Sequence, residues 1–382
     1  MPSRTSPLAS APPQPPVNFE QQRKRARALL RGARANDAEA RKRIAAAHAA
    51  FAPRARSARH DRVQSLSLHD TQLVIAREYG FATWACLKAH IHAHATLTSL
   101  GATSLVAAAN RALETKLPNP LFCDPFAREL AGDDGWSAMR TVRSTIAPWT
   151  DVSPEPYLSI TTRFFDDALR RVVQDPSITQ VVMLGAGMDT RAFRLEWPRG
   201  IVFFELDRDE VFDRKETVLR RLQARPACER RIVRTDLTRS WGSALRKAGF
   251  DPGRKAAILA ESVFLYLDEP VVTQIVTALR GLACAGSWIG FDVTSAGLLA
   301  SAMMAPYLNK LKQLGRAPWR FGINDPEAFL AAHGWDATAV VFGAPEASYG
   351  RWLCPYALRS IARAFLAQGW MRGEEGVCRD SR

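Results

Sequence analysis

The sequence predicts an α/β fold in which helices cover both faces of a largely parallel sheet, preceded by an α-helical extension. From about residue 98 on, short runs rich in β-branched and apolar residues alternate with segments of helix length. The first five of these runs are separated by such segments, which is typical of βαβ units on a parallel sheet. Before residue 60 the chain is rich in Ala and Arg, a composition that favours helix.

The candidate strands of the main domain are short and apolar, as buried strands of a parallel sheet are. They are residues 179–184, 201–206, 231–235, 256–261, 287–292, 335–342 and 363–370. The domain itself is predicted over 96–373. It is preceded by a Pro-rich, disordered tail at 1–18 and a helical extension at 19–95, and it is followed by a flexible tail at 374–382.

The net charge of +14 is concentrated at the N-terminus of the 382-residue chain. Residues 1–62 hold 14 Lys and Arg against 4 Asp and Glu, while the rest is nearly balanced. The high isoelectric point therefore does not indicate a basic substrate cleft in the main domain. A basic helix here, broken near Pro53, is more often a solvated face than a contact for nucleic acid, although that contact stays a possible alternative.

A helical hairpin is predicted within the extension, over residues 67–94. An apolar face of Leu73, Ile75 and Ala76 marks the first helix, Gly80 ends it, and Thr83 caps the second helix. The spacing from Ala76 to Gly80 also occurs where the two helices of a helix-turn-helix cross closely. This spacing is weak evidence, so we expect the hairpin to have a structural packing role and not to recognise DNA.

Neither a metal site nor a membrane segment is indicated by the sequence. The six cysteines lack the short spacing of metal ligands and are interpreted as reduced thiols. The N-terminus has no apolar signal region, and no apolar run approaches the roughly 20 residues that span a bilayer. We therefore expect a cytoplasmic protein with no metal and no membrane partner; its oligomeric state is not predicted.

The most informative stretch is the glycine-rich turn after the first strand, "VVMLGAGMDT". Gly185 and Gly187 allow the backbone to approach a ligand closely. A dinucleotide fingerprint would need glycine in place of Thr190, and Asp189 would repel a pyrophosphate at the helix N-terminus. The turn therefore suits an adenosyl ligand without phosphate, such as S-adenosylmethionine (SAM).

Acidic residues at three later strand ends support this ligand. Asp207 lies at the end of the second strand, about 20 residues past the glycines, where an acid can accept both ribose hydroxyls. Asp236 follows the third strand and can accept from an adenine amino group, and Glu261 ends the fourth. Each alone has a simpler surface or capping role, but the three together favour a SAM site.

These stretches resemble the leucine carboxyl methyltransferase-like family of SAM-dependent methyltransferases. The series "GAGMDTR", "FELD" and "AESVFLYL" carries the resemblance, which extends over residues 104–371. It implies a Rossmann-like, seven-stranded, mostly parallel sheet whose last strand is antiparallel. It also implies roles for individual residues, namely Gly185, Ala186 and Gly187 lining the cofactor, Asp207 at the ribose, Asp236 and Leu237 at the adenine, and Glu261 at the methionine portion.

One position departs from the family pattern. The family has an arginine that grips the SAM carboxylate where this chain has Thr161, in "ITTRFFDD". Arg163, two residues later, is the expected substitute, with Arg191 as another candidate and Arg111 as a weaker one. For Arg191 and Arg194, pairing with Asp189 that fixes the turn is at least as plausible as ligand contact.

The implied activity is O-methyl transfer to a carboxylate or hydroxyl of a small-molecule metabolite. No catalytic residue is identified: the SAM motifs contain no histidine, and His333 is expected at a helix C-terminus. Asp292 is interpreted as structural or as facing the acceptor, and Tyr266 as packing. An insert after the fifth strand offers an adaptable acceptor wall, with core packing as the equal alternative; its residues are Met303, Met304, Tyr307, Trp319 and Phe321.

Two other functional classes are left open by the sequence. One is a regulator that contacts DNA through the basic extension, with the methyltransferase fold as an auxiliary part. The other is a SAM-binding protein without catalysis, suggested by Thr161.

Overall fold

The structure is a computed structural model that describes residues 19–47, 66–93, 101–146, 155–302, 304–313, 317–352 and 364–373. The predicted tails at 1–18 and 374–382, and the predicted helix break near Pro53, lie outside the described residues. The chain divides into two compact units, Met1–Thr96 and Leu97–Arg382, which are described separately below.

The N-terminal unit consists, in its described part, of α1 (Phe19–Arg34), α2 (Ala38–Ala47), α3 (Leu68–Glu78) and α4 (Trp84–Ala93). Helix α1 is amphipathic: Ala26 and Leu29 are buried against the other helices, while Lys24 and Arg27 are exposed on the other side. The positive charge of α1 therefore lies on the face that does not form the core.

The predicted hairpin is present as α3 and α4. Ser67 caps α3 in a reciprocal capping box, and the Thr83 hydroxyl accepts from the backbone N–H of Cys86 at 3.1 Å. Gly80 has a φ of +80°, and an added Cβ would meet nothing within 4 Å, so the glycine provides a left-handed stop and not a close helix crossing. The buried face differs from the predicted one, because Val74 is buried while Leu73 is half-buried.

The second unit is built on a seven-stranded sheet, as predicted. Its strands are β1 (Gln180–Leu184), β2 (Val202–Asp207), β3 (Glu229–Arg234), β4 (Ala256–Ala260), β5 (Trp288–Thr294), β6 (Trp335–Val341) and β7 (Ala364–Met371). The order is β3-β2-β1-β4-β5-β7-β6. Strands β1 to β5 pair in parallel, and β7 pairs antiparallel with both β5 and β6. The antiparallel last strand is thus confirmed.

Helices connect and cover these strands. They are α5 (Gly101–Glu114), α6 (Ala127–Ile146), α7 (Glu155–Val172), α8 (Arg191–Arg194), α9 (Asp209–Arg221), α10 (Gly242–Lys247), α11 (Glu269–Arg280), α12 (Ala296–Leu299), α13 (Ala305–Gln313) and α14 (Pro326–Ala332). Helix α6 is interrupted at Gly132, where φ is +56°. His333 is the C-cap residue of α14.

Both faces of the sheet are buried, which explains why its strands are continuously apolar. In β1, Val182 and Leu184 face a core formed with α10, α11 and α14, whereas Val181 and Met183 face a core formed with α7 and α9. Helices on both faces therefore sandwich the sheet, and the carboxyl ends of β1, β2, β4 and β5 lie at one edge. In a doubly wound sheet this edge is where ligands bind.

No helix within the described ranges is both long and apolar enough to cross a membrane. The four cysteines placed there, Cys86, Cys123, Cys228 and Cys284, form no disulfide. Location in the cytoplasm stays a prediction.

Candidate functional site

The glycine-rich turn after β1 is held in a conformation that depends on its glycines. Gly185 and Gly187 have φ values of +61° and +44°. An added Cβ at Gly185 would lie 2.6 Å from Cγ2 of Val263, and one at Gly187 would lie 2.8 Å from Cβ of Ser104. Between them, the N–H of Ala186 donates to the Leu206 carbonyl at 2.9 Å, which ties the turn to β2. Larger residues at either glycine would be strained by both backbone and contacts.

Asp207 fixes this turn to the end of β2. Its Oδ2 accepts from the N–H of Gly187 at 2.7 Å, and its Oδ1 accepts from the N–H of Arg208 at 2.7 Å. Each carboxylate oxygen has a second lone pair, and the side chain is partly exposed, so it can still accept from a diol. Partial burial raises the pKa of Asp207, while the two N–H donors act in the opposite direction.

Asp236 and Leu237 lie in the loop after β3, at the same edge of the sheet. Oδ1 of Asp236 accepts from both the N–H and the hydroxyl of Thr238, at 2.9 and 2.8 Å. These donors fix the carboxylate and, against the effect of partial burial, lower its pKa. Leu237 is half-buried beside the core of the α10 and α11 face.

Glu261 follows β4 and connects two elements of the site. Its Oε1 accepts from the Thr162 hydroxyl of α7 at 3.1 Å. Its Oε2 lies 2.5 Å from Nη1 of Arg191, without the geometry of a hydrogen bond. Glu261 is therefore held by Thr162 of α7 on one side and by Arg191, which follows the glycine-rich turn, on the other.

Arg191 is the centre of a buried cluster of five charged side chains. Its Nε donates to Asp166 at 2.7 Å and its Nη1 to Asp189 at 2.6 Å, while Arg194 donates through Nη2 to Asp166 at 2.8 Å. With Glu261 the cluster holds three carboxylates and two guanidiniums, a net charge of −1. Against the effect of burial, the arginines lower the pKa of Asp189 to about 2 and also lower that of Asp166. Pairing with Asp189, one of the two roles considered for these arginines, is present for Arg191, whereas Arg194 pairs with Asp166 of α7 instead.

Arg163 is not brought to this cluster. Its Nε donates to Asp167 at 2.7 Å, one turn along α7, and its Nη1 donates to the Leu121 carbonyl at 2.7 Å. Thr161 is fully buried, and its hydroxyl donates to the carbonyl of Tyr157 at 2.8 Å. Arg111 is also engaged, since it donates to Asp124 at 2.9 Å and to the Met188 carbonyl.

Near Glu261 lies a hydrogen-bonded pair, Tyr157 and Asp292, which the sequence did not predict. The Tyr157 hydroxyl donates to Oδ2 of Asp292 at 2.8 Å, and Oδ1 of Asp292 accepts from the N–H of Ser262. Tyr157 and Asp292 are 135 residues apart, so no local pattern in the sequence joins them. A polar residue inside the apolar strand "WIGFDVT" was the available signal for Asp292.

Aromatic side chains form a row beside this pair. Tyr157 stacks on Phe342 with centroids 4.5 Å apart, Trp319 lies 6.1 Å from Tyr157, and Tyr307 lies 5.8 Å from Trp319. Of the predicted acceptor wall, Tyr307 and Trp319 thus belong to this row. Phe321 instead packs in the core against Phe329, Met304 is half-buried, and Met303 lies outside the described residues.

Sequence comparison decides the family of this site. The leucine carboxyl methyltransferase family matches residues 104–280. A protein of Mycobacterium tuberculosis strain H37Ra, named as an S-adenosyl-L-methionine-dependent methyltransferase, is 35% identical over 283 residues, which cover 66% of this chain and 88% of that protein. The chain belongs to the leucine carboxyl methyltransferase family. It is a SAM-dependent methyltransferase, and SAM is its cofactor.

Another relative of this methyltransferase is a Streptomyces coelicolor protein that is also named as an S-adenosyl-L-methionine-dependent methyltransferase. It is 38% identical over 222 residues, which cover 56% of this chain and 73% of that protein. Among solved structures, a methyltransferase from Thermobifida fusca has a TM-score of 0.46 at 16% identity, covering 65% of this chain and 93% of that one. Magnesium protoporphyrin IX methyltransferase from Synechocystis has a TM-score of 0.38 at 11% identity, covering 62% and 94%. At TM-scores below 0.5, these likenesses carry no functional weight.

Proposed function

We propose that this methyltransferase transfers the methyl group of SAM to an oxygen atom, a carboxylate or hydroxyl, of a small-molecule acceptor. The observation that carries the proposal is the 2.7 Å hydrogen bond from Gly187 to Asp207. This hydrogen bond brings the glycine-rich turn and Asp207 of β2 together. The carboxylate of Asp207 still has lone pairs that can accept hydrogen bonds from the two ribose hydroxyls. The family name supports an oxygen acceptor, since it describes methylation of a carboxyl group.

The described residues fit the adenosine part of SAM. Gly185, Ala186 and Gly187 would line it with bare backbone, and Asp207 would accept from the ribose hydroxyls. Oδ2 of Asp236, which has no hydrogen-bond partner among the described residues, would accept from the adenine amino group, with Leu237 against the ring. Nothing in this set would repel a ligand that lacks phosphate.

The charge of the buried cluster fits the other end of SAM. The sulfonium and ammonium groups are cationic, and the cluster that ends in Glu261 has one excess negative charge. An opposite charge at short range stabilises both partners in a site of low polarity. Glu261 would therefore hold the methionine portion through its ammonium group.

The aromatic row is the proposed wall of the acceptor site. Tyr157, Trp319 and Tyr307 form a half-buried aromatic surface, which suits a planar or apolar small molecule. Of the three, Tyr157 lies near enough to Glu261 that the pKa of its phenol is raised by burial and also by the charge of Glu261. SAM supplies a methyl group on a positively charged sulfur. The chain's own contribution is to align the acceptor oxygen with that methyl group and to exclude water, which accounts for much of the rate in such displacements.

The decisive experiment is SAM titration by calorimetry with the Asp207→Ala variant. We expect SAM affinity to be lost, because the carboxylate that would accept from the ribose hydroxyls and that holds the N–H of Gly187 is removed. Glu229→Ala is the matched control, since it removes an exposed carboxylate at the amino end of β3, and should bind as the wild type does. Unchanged affinity of Asp207→Ala would refute this site, and failure of the wild type to bind SAM would refute the function.

A further inference from the structure

The half-buried Tyr157 and the buried Asp292 form a hydrogen-bonded pair at the edge of the sheet where the site lies. Asp292 is fully buried in β5 and, by strand alternation, lies on the same face as Gly290, where an added Cβ would lie 3.0 Å from Phe165 of α7. Tyr157 is in the first turn of α7 and donates to Oδ2 of Asp292 at 2.8 Å. A carboxylate buried in a central strand destabilises the fold unless it is paired, so its presence indicates a specific use.

One half of this carboxylate has a structural role. Oδ1 of Asp292 accepts from the N–H of Ser262, a non-glycine residue with a φ of +54°. Such a backbone conformation is strained and persists only where the surroundings hold it. Because Ser262 directly follows Glu261, this contact positions Glu261 as well. Oδ2 accepts from the phenol of Tyr157 at 2.8 Å and, across a longer 3.4 Å, from the hydroxyl of Ser262.

The groups around the pair set its protonation. Burial raises the pKa of Asp292 to about 6, and the nearby charge of Glu261 acts in the same direction, against the Ser262 and Tyr157 donors. Burial of the hydroxyl and the Asp292 charge raise the pKa of Tyr157 well above its ordinary value, with smaller effects of Tyr266 and Glu261. At neutral pH the phenol therefore keeps its proton, and the carboxylate is ionised but can readily accept one.

The position of the pair relates it to methyl transfer. Thr162, in the second turn of α7, donates to Glu261, so Tyr157 lies on the helix that also contacts the proposed methionine-binding residue. On its other side Tyr157 contacts Trp319 and Phe342 of the aromatic row. An acceptor against that row would meet the Tyr157 oxygen, which donates its own hydrogen to Asp292 and has lone pairs free to accept another.

We propose that Tyr157 and Asp292 form a proton relay that makes this enzyme specific for hydroxyl-bearing acceptors, such as phenols; this rests on the proposed function. The acceptor oxygen bonds to the methyl carbon, and the carbon–sulfur bond breaks with its electron pair kept by sulfur. The acceptor proton passes to Tyr157 as the tyrosine proton passes to Oδ2 of Asp292. The products are a methyl ether, S-adenosylhomocysteine and a protonated Asp292, which returns its proton to solvent.

The first test uses the protein without SAM. The raised pKa of Asp292 predicts stability that is fully present below about pH 4, the usual range of a free aspartic acid, and is lost as the pH rises through about 6. In Asp292→Asn this decline should disappear. In Tyr157→Phe it should extend to higher pH, because the carboxylate loses a donor. An unchanged curve for Tyr157→Phe overturns the coupling of the pair.

The second test measures transfer of label from methyl-labelled SAM to a small-molecule extract of the source organism, followed by base treatment. We expect base-stable label, and a fall of about 100-fold in the initial rate of labelling in both Tyr157→Phe and Asp292→Asn, the range of a general base. SAM affinity by calorimetry should stay within about twofold. Tyr349→Phe is the control, because Tyr349 contacts Arg163 and should leave the rate unchanged.

The outcomes distinguish failure of the relay alone from failure of both the relay and the proposed function. Base-labile label identifies a methyl ester and overturns the relay while supporting O-methyl transfer. Base-stable label with full activity in Tyr157→Phe also overturns the relay. SAM binding without any labelled product overturns both the relay and the proposed function.

Discussion

Arg191 donates from Nε to Oδ1 of Asp166 across 2.7 Å, and the two side chains are 1% and 0% exposed. The same guanidinium also reaches Asp189 and Glu261, so one cation connects α7, the glycine-rich turn and the end of β4. Removal of a single partner from such a buried pair leaves a charge without compensation, which destabilises far more than loss of a surface pair.

The Arg191→Met variant should therefore be strongly destabilised. We expect the free energy of unfolding, measured by urea titration, to fall by about 3–5 kcal/mol. Arg170→Met is the matched control, because Arg170 is about half exposed and pairs with Asp167 on the surface, so its change should stay below about 1 kcal/mol. Equal effects of the two substitutions would contradict the central place of Arg191.

The same cluster makes stability depend on acid. The lowered pKa values of Asp189, about 2, and of Asp166 mean that their stabilising effect is present above about pH 4 and is lost as the pH falls through their folded values. Unfolding measured from pH 5 to 2 should show a steep decline in the wild type and a shallower one in Asp189→Asn. Parallel curves would show that Asp189 does not titrate with folding.

Gly185 should tolerate no side chain. Gly185→Ala combines a left-handed φ with a contact of 2.6 Å to Val263, and we expect a loss of about 1–3 kcal/mol of unfolding free energy together with weaker SAM binding. Gly200→Ala is the control for backbone strain alone, since its φ is +90° with nothing within 4 Å of the added Cβ. Adding Val263→Ala to Gly185→Ala should recover the steric part and not the backbone part.

Arg163 can be tested directly as the proposed replacement for the arginine absent at position 161. Because its guanidinium is engaged by Asp167 and the Leu121 carbonyl, Arg163→Gln should change the Kd for SAM by less than about twofold. A tenfold weaker Kd, about 1.4 kcal/mol, would instead show that Arg163 turns to the cofactor. Thermal unfolding of the variant separates this result from a loss of folded protein.

Much of the sheet could be predicted, because its signals are local. Each strand is a short apolar run bounded by loop residues, and a chain buried on both faces must be apolar at every position. The turn at Gly185 and Gly187 was predictable for the same reason, since glycines directly after a buried strand have few other uses. The buried face of the hairpin was less well predicted. Leu73 and Val74 are both apolar and adjacent in sequence, and only the packing of α3 against the other helices determines that Val74 is the buried one.

The roles of the charged residues were harder to predict. Glu205 and Asp207 share one side of β2, yet Glu205 is fully buried between Lys215 at 2.8 Å and Arg230 at 2.7 Å, while Asp207 reaches the glycine-rich turn. Strand period places both on one face but does not say what covers it. Glu205 lies where α9 covers the strand and pairs there with Lys215 in the core, whereas Asp207 lies at the end of the strand and belongs to the site.

The sequence by itself determined the α/β fold, the glycine-rich turn, the acids at three strand ends and the family, because each depends on residues close together in the chain. Only the tertiary structure decided that Arg191 is shared by three carboxylates, that Arg163 is engaged elsewhere, and that Tyr157 meets Asp292. These contacts join residues 25 to 135 positions apart or depend on the direction of a side chain. Such distances close only when helices pack on a sheet, so no local pattern encodes them.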